Sequence, residues 1–239
     1  MSTGKKLILA LDVSEHEYAL EIVDKFSDDI DIFKVGLELF TSCGPQIIED
    51  INKKGKKVFL DLKFHDIPNT VSKAAVAVTR LGVHMFSVHA SGGFEMMKQC
   101  REKVIEVCLK KNIQRPKILG VTVLTSLSRE ILKDELGIQH GLRTHVRHLT
   151  EIALKAGLDG VIASAREIEV VRNHCGKGFL IVTPGIRPSW TPPDDQKRTM
   201  TPRDAIREGA DYLVIGRAIL QQPDPLKAIE LINLEILAA

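Results

Sequence analysis

Eight times along the chain a short apolar run, rich in Val, Ile and Leu, ends at or next to a polar residue or glycine, and all but the seventh are followed by a segment of helical periodicity. The runs are Leu7 to Asp12, Ile32 to Gly36, Val58 to Asp61, Met85 to Ala90, Ile118 to Leu124, Gly160 to Ser164, Phe179 to Thr183 and Tyr212 to Gly216. Strands this apolar on both faces belong in a parallel sheet with helices laid over it. Eight units in 239 residues fit an α/β fold of the (β/α)8 TIM-barrel type, one domain over residues 1–239. A doubly wound open sheet fits less well, since no G-x-G-x-x-G follows the first strand. Helices are expected over 15–26 with Ser14 as N-cap, over 45–53, from Pro68 onward, over 129–136 and 142–156, and over 225–238.

Barrels of this kind carry their chemistry at the C-terminal ends of the strands. There the sequence places Asp12, Lys34, Asp61 with Lys63, His89, Thr125 with Ser126, Ser164, Thr183, and Gly216 with Arg217. In a two-residue strand repeat Asp61 and Lys63 project to one face, a carboxylate beside an ammonium. Such charges are costly in a core unless paired, and two lysines with several aspartates at one mouth point to a reactive site rather than to structural ion pairs. Asp66 follows where strand passes to helix.

One connection is long. From Pro184 to Met200 runs a polar segment holding the single Trp, of the length used for lids or binding loops. Phosphate often binds at the loops after strands seven and eight, which makes Arg187 and Arg217 anion partners, with Gly216 allowing close backbone approach. A phosphorylated small substrate is the expected guest.

The remaining composition narrows the alternatives. A formal net charge of +2, with no basic block, gives no footprint for nucleic acid. The opening apolar stretch, Leu7 to Leu11, is too short for a membrane span or signal core, so a soluble, cytoplasmic protein is expected. The four cysteines are widely spaced, with no C-x-x-C, and read as reduced thiols rather than a disulfide or zinc framework. His140, His145 and His148 sit in polar helical sequence and carry no metal reading. His65 reads as orienting its turn, and His89 as a hydrogen-bonded pocket wall.

Taken together, Asp61-Leu-Lys-Phe-His-Asp-Ile-Pro-Asn-Thr70, Leu124-Thr-Ser126, Thr183-Pro-Gly-Ile-Arg-Pro188, Asp195-Gln196 and Val214-Ile-Gly-Arg217 resemble the bacterial-type orotidine 5'-phosphate decarboxylases, in order and over essentially the whole chain. The resemblance implies a homodimeric barrel that converts orotidine 5'-monophosphate to uridine 5'-monophosphate and carbon dioxide, the last step of UMP synthesis, with no metal or organic cofactor. It makes Lys63 the proton donor to C6, Asp61 the carboxylate facing the substrate carboxylate, and Lys34 and Asp12 the ribose and charge-network residues. Asp66 and Thr70 would reach the neighbouring subunit's site. Thr125, Ser126 and Gln196 would contact the pyrimidine, and Arg187, Gly216 and Arg217 the phosphate.

Two rivals remain open at this level. Magnesium-dependent sugar-phosphate lyases and aldolases share a D-x-K-x-x-D strand but use an acidic metal ligand at the end of strand two, where this chain has Lys34. A barrel isomerase or a non-catalytic phosphate-binding scaffold would leave the lysines or the whole charge cluster without a purpose.

Overall fold

The computed structural model describes residues 6–191 and 200–239. The strands are β1 (Leu7–Leu11), β2 (Ile32–Gly36), β3 (Lys57–Phe64), β4 (Met85–His89), β5 (Lys117–Val121), β6 (Gly160–Ile162), β7 (Leu180–Thr183) and β8 (Tyr212–Ile215). Each pairs in parallel with its sequence neighbours and β8 returns to β1, so the sheet closes as a barrel in chain order, as expected. The helices are α1 (His16–Lys25), α2 (Leu37–Cys43), α3 (Gln46–Lys53), α4 (Pro68–Arg80), α5 (Gly93–Lys111), α6 (Leu142–Lys155), α7 (Ile168–Cys175), α8 (Pro202–Glu208), α9 (Arg217–Leu220) and α10 (Pro225–Leu237).

Strand alternation divides the core in two. Ile8, Ala10, Ile32, Phe59, Met85 and Val182 fill the barrel interior with their neighbours, whereas Phe33, Val35, Leu60 and Phe86 join the larger layer between sheet and helices. This alternation explains how a lysine enters the barrel. Lys34 lies between outward Phe33 and Val35 and in register with Ala10 and Phe59, so its side chain must run up the inside toward the mouth.

The structure departs from the expectations at several places. Helix α1 begins one residue later than Ser14 can cap, with Glu15 at the cap position and no side-chain cap bond. The fifth strand stops at Val121, one residue before Thr122, whose amide and hydroxyl both donate to the Ile162 carbonyl. The helical piece after it narrows to one π-helical turn, Ile131–Glu135. Helix α8 is capped by the Thr201 hydroxyl, which accepts the Asp204 amide, with Pro202 in the first turn.

At the end of the barrel opposite the mouth, one device occurs twice. Asp159, just before β6, accepts the Ile118 amide at 2.8 Å and the Arg115 guanidinium at 2.8 and 2.6 Å. Asp211, just before β8, accepts the Ile181 amide at 2.8 Å and the Arg172 guanidinium at 2.7 Å. Each carboxylate thus caps the preceding strand and anchors an arginine. We expect Asp159→Ala to lower the unfolding free energy by about 2–4 kcal/mol, since it strands both the strand amide and a partly buried arginine. Urea denaturation measures this, and a loss below about 1 kcal/mol would reduce the cluster to an ordinary surface pair.

Candidate active site

The mouth of the barrel holds a cavity of about 660 Å³, part of it open to solvent, whose lining includes Asp12, Lys34, Asp61, Arg187, Gly216 and Arg217. Six of the residues expected at the site therefore converge on one space. Its walls also include Pro184, Gly185 and Ile186 after β7, together with Ala218.

Lys34 is only 9% exposed, and its ammonium donates to Asp12 Oδ1 at 2.8 Å. Gly36, the next inward residue on β2, makes room for it: a Cβ there would stand 2.9 Å from Lys34 Nζ. A second pair lies on β3. Lys63 Nζ donates to Asp61 Oδ2 at 2.8 Å, with Asp61 8% exposed. The buried Lys34 and the part-exposed Lys63 thus both have carboxylate partners, which for Lys34 and Asp61 is the condition for holding a charge at their depth. Arg187 and Arg217 line the same cavity, and their guanidinium groups are the kind that recognise an anion.

Asp61 and Lys63 do meet, but not through the regular strand repeat that the sequence suggests. Lys63 adopts a left-handed backbone, φ 53°, and the pairing of β3 with β4 jumps from Leu60 opposite Phe86 to Phe64 opposite Val88. Four residues on one strand span two on the other, a bulge that re-aims the lysine. The displaced Lys63 amide donates instead to Ser87 Oγ at 2.9 Å, and that hydroxyl donates to Asp61 Oδ1 at 2.7 Å.

Asp66 and Thr70 are exposed and border a separate depression with Lys63, Phe64 and His65. Asp66 forms no ion pair among the described residues, and its Oδ1 accepts the Ile67 amide at 2.6 Å. Asp61 is therefore the carboxylate bonded to Lys63 within one chain. Thr125 and Ser126 stand in the turn after β5 and do not line the main cavity. Gln196 lies outside the described residues. Thr183 alternates with inward Val182 and so faces the helix layer, not the mouth.

His89 and His65 stack with ring centroids 5.2 Å apart, and Ser91 bonds to His89 Nδ1. Burial, aided by the charges of His65 and Lys63, pushes His89 down to about 4. It is neutral at physiological pH, and it does not line the cavity that holds Lys34 and Asp61. Gly216 earns its place by close approach: a Cβ would come within 3.0 Å of Ala10 Cβ and 3.2 Å of Asp12 Oδ2. Among the described residues no group of three or more His, Cys, Asp or Glu side chains could hold a metal ion.

Sequence reasoning missed Ser87 and Gly36. Counting back two residues from His89 puts Ser87 on the inward face, so a buried polar residue was there to be noticed. Gly36 gives no signal until the path of Lys34 is known.

The family model of the orotidine 5'-phosphate decarboxylase / HUMPS family matches residues 5–232. A protein of Geobacter metallireducens named orotidine 5'-phosphate decarboxylase is 51% identical over 98% of this chain and 97% of its own length. The crystal structure of the protein of that name from Lactobacillus acidophilus superposes with a TM-score of 0.86 at 38% identity, covering 97% of this chain and 99% of the other. That from Pyrococcus horikoshii OT3 gives 0.75 at 27% identity, covering 98% and 100%. With a family match across nearly its whole length and a relative that shares half its residues, the chain belongs to the orotidine 5'-phosphate decarboxylase / HUMPS family.

Proposed function

We propose that the protein is a carboxy-lyase that converts orotidine 5'-monophosphate to uridine 5'-monophosphate and carbon dioxide, the closing step of UMP synthesis. The observation that carries the reading is the Lys63 ammonium held on Asp61 at the barrel mouth, beside a cavity lined by two arginines. Relatives of this chain bear the name of that activity.

The reaction breaks the bond between C6 and the carboxylate and leaves the electron pair on C6, where the ring delocalises it poorly. Electrostatic stabilisation must come from the site. Lys63 supplies positive charge beside C6 and then transfers a proton to it, leaving a neutral amine that regains its proton from solvent. Asp61 holds the Lys63 ammonium by its hydrogen bond beforehand and faces the departing carboxylate. Lys34 and Asp12 hold the ribose hydroxyls. Arg187, Arg217 and the backbone at Gly216 take the phosphate, whose binding energy is remote from the reacting carbon and so is available to organise the site. Thr125, Ser126 and Gln196 contact the pyrimidine. His89, lowered to about 4, carries no proton to donate at physiological pH.

The protein acts as a homodimer in which Asp66 and Thr70 complete the neighbour's site. In support, both are exposed, Ile67 between them is 65% exposed, and Asp66 has no ion-pair partner among the described residues. The chemistry proceeds on side chains alone, without metal or organic cofactor. Lys63 gives the positive charge that a Lewis acid would, and the ammonium of Lys34 occupies the end of β2, where a magnesium enzyme needs an acid. This favours the decarboxylase over the magnesium-dependent sugar-phosphate lyase or aldolase. Neither nucleic acid nor membrane is a partner: no basic block stands out, and no described helix is long and apolar enough to cross a bilayer. The four free thiols suit a reducing cytoplasm.

Loss of orotidine monophosphate absorbance, followed in the presence of a chelator, tests the reaction directly. Native protein should turn over rapidly and Lys63→Ala should fall at least about 1,000-fold in kcat, the scale for removing a group that acts in the transition state. Inertness toward this substrate, with turnover of a sugar phosphate once magnesium is restored, would transfer the assignment to the rival. Arg217→Ala should lower kcat/KM by about 2–4 kcal/mol, the worth of a lost set of charge-assisted contacts to phosphate; an unchanged value would remove Arg217 from the phosphate site. Mixing inactive Lys63→Ala and Asp66→Ala subunits under exchange conditions should restore some activity through heterodimers carrying one intact site. No recovery would confine Asp66 to its own subunit.

A further inference from the structure

We infer that Ser87 is a positioning residue for this reaction, its single hydroxyl fixing both the carboxylate of Asp61 and the backbone of Lys63. The inference rests on the assignment of Lys63 as proton donor. Ser87 lies on β4 two residues after inward Met85 and is 0% exposed. A hydroxyl sealed at that depth has to be satisfied locally, and both of its bonds run to the catalytic pair.

The hydroxyl has one proton, and it goes to Asp61 Oδ1 at 2.7 Å. Its lone pairs are then free to accept the Lys63 amide at 2.9 Å. Asp61 divides its oxygens accordingly, Oδ1 to Ser87 and Oδ2 to the Lys63 ammonium at 2.8 Å. The four groups close a ring: Asp61 carboxylate, Lys63 side chain, Lys63 backbone, Ser87 hydroxyl. The Asp61 carboxylate cannot rotate without breaking two bonds at once, those to Ser87 and to the Lys63 ammonium.

The register explains why the strand cannot do this alone. Between Leu60 and Phe64 the ladder to β4 slips, so Asp61, Leu62 and Lys63 have no registered partner there. The amide of a left-handed lysine, φ 53°, would otherwise point at a strand offering no carbonyl in register. Ser87 substitutes a side-chain acceptor for the missing rung, which lets the bulge persist with the Lys63 ammonium on Asp61.

Two variants separate positioning from packing. Ser87→Ala removes both bonds and adds no volume; Ser87→Thr keeps the hydroxyl. Steady-state kinetics with orotidine monophosphate should show kcat of Ser87→Ala reduced on the order of 100-fold with KM within about threefold, because the lost alignment matters for the reacting carbon more than for phosphate binding. Ser87→Thr should regain at least about tenfold of that loss. A crystal structure of Ser87→Ala should show Lys63 out of the left-handed region or its ammonium parted from Asp61. An unchanged kcat in Ser87→Ala, or equal losses in both variants, would overturn the inference. The crystallographic result stands apart from the reaction: if native protein fails to decarboxylate, the functional reading falls, while Lys63 unmoved in Ser87→Ala would overturn the positioning role whatever the substrate.

Discussion

Burying a charge without a partner costs more than a small barrel can absorb, and that constraint governs how this mouth is built. Two lysines sit at or near the barrel interior, Lys34 on β2 and Lys63 on β3, and each is bonded to an aspartate from the end of the same or the adjacent strand. The pairing is also what chemistry at C6 needs, since an ammonium that stays charged can stabilise a carbanion and then quench it. On the proposed function, the solution to a stability problem and the solution to a catalytic problem are the same four side chains.

The surrounding fold serves to place them. Alternation along β2 forces Lys34 inward, and the absence of a side chain at Gly36 clears its end. On β3 alternation alone is insufficient, and a slipped ladder with a left-handed lysine replaces it. The base of the long connection after β7 is held by a bridge between Ile186 and Met200 and by the Arg187 amide donating to the Met200 carbonyl at 2.9 Å. The arginine expected at the phosphate therefore projects from an anchored stem.

Much of this was legible beforehand, for reasons that differ by residue. The eight strands could be read because they are buried on both faces, which leaves a continuous apolar signature. Asp12, Lys34, Asp61, Arg187 and Arg217 could be placed at one mouth because strand ends are easy to locate and the barrel gathers them. The short α2 and α9 were not seen, since 7 and 4 residues carry too little periodicity, whereas the Thr201-Pro-Arg-Asp204 cap of α8 was present and overlooked. The bulge was illegible in principle, because a lysine at positive φ leaves no mark in composition. Ser87 depends on that bulge and was hidden with it.

The ion pair on β3 also constrains how such a protein can change over generations. Replacing Lys63 alone leaves Asp61 buried at 8% exposure with one oxygen unmatched; replacing Asp61 alone leaves a strained lysine with no counter-charge. On the proposed reaction, either single step would cost turnover as well as the pairing. If the proposed roles hold, a chain leaving this chemistry is best served by changing both positions together, so the pair would act as a ratchet on the sequence.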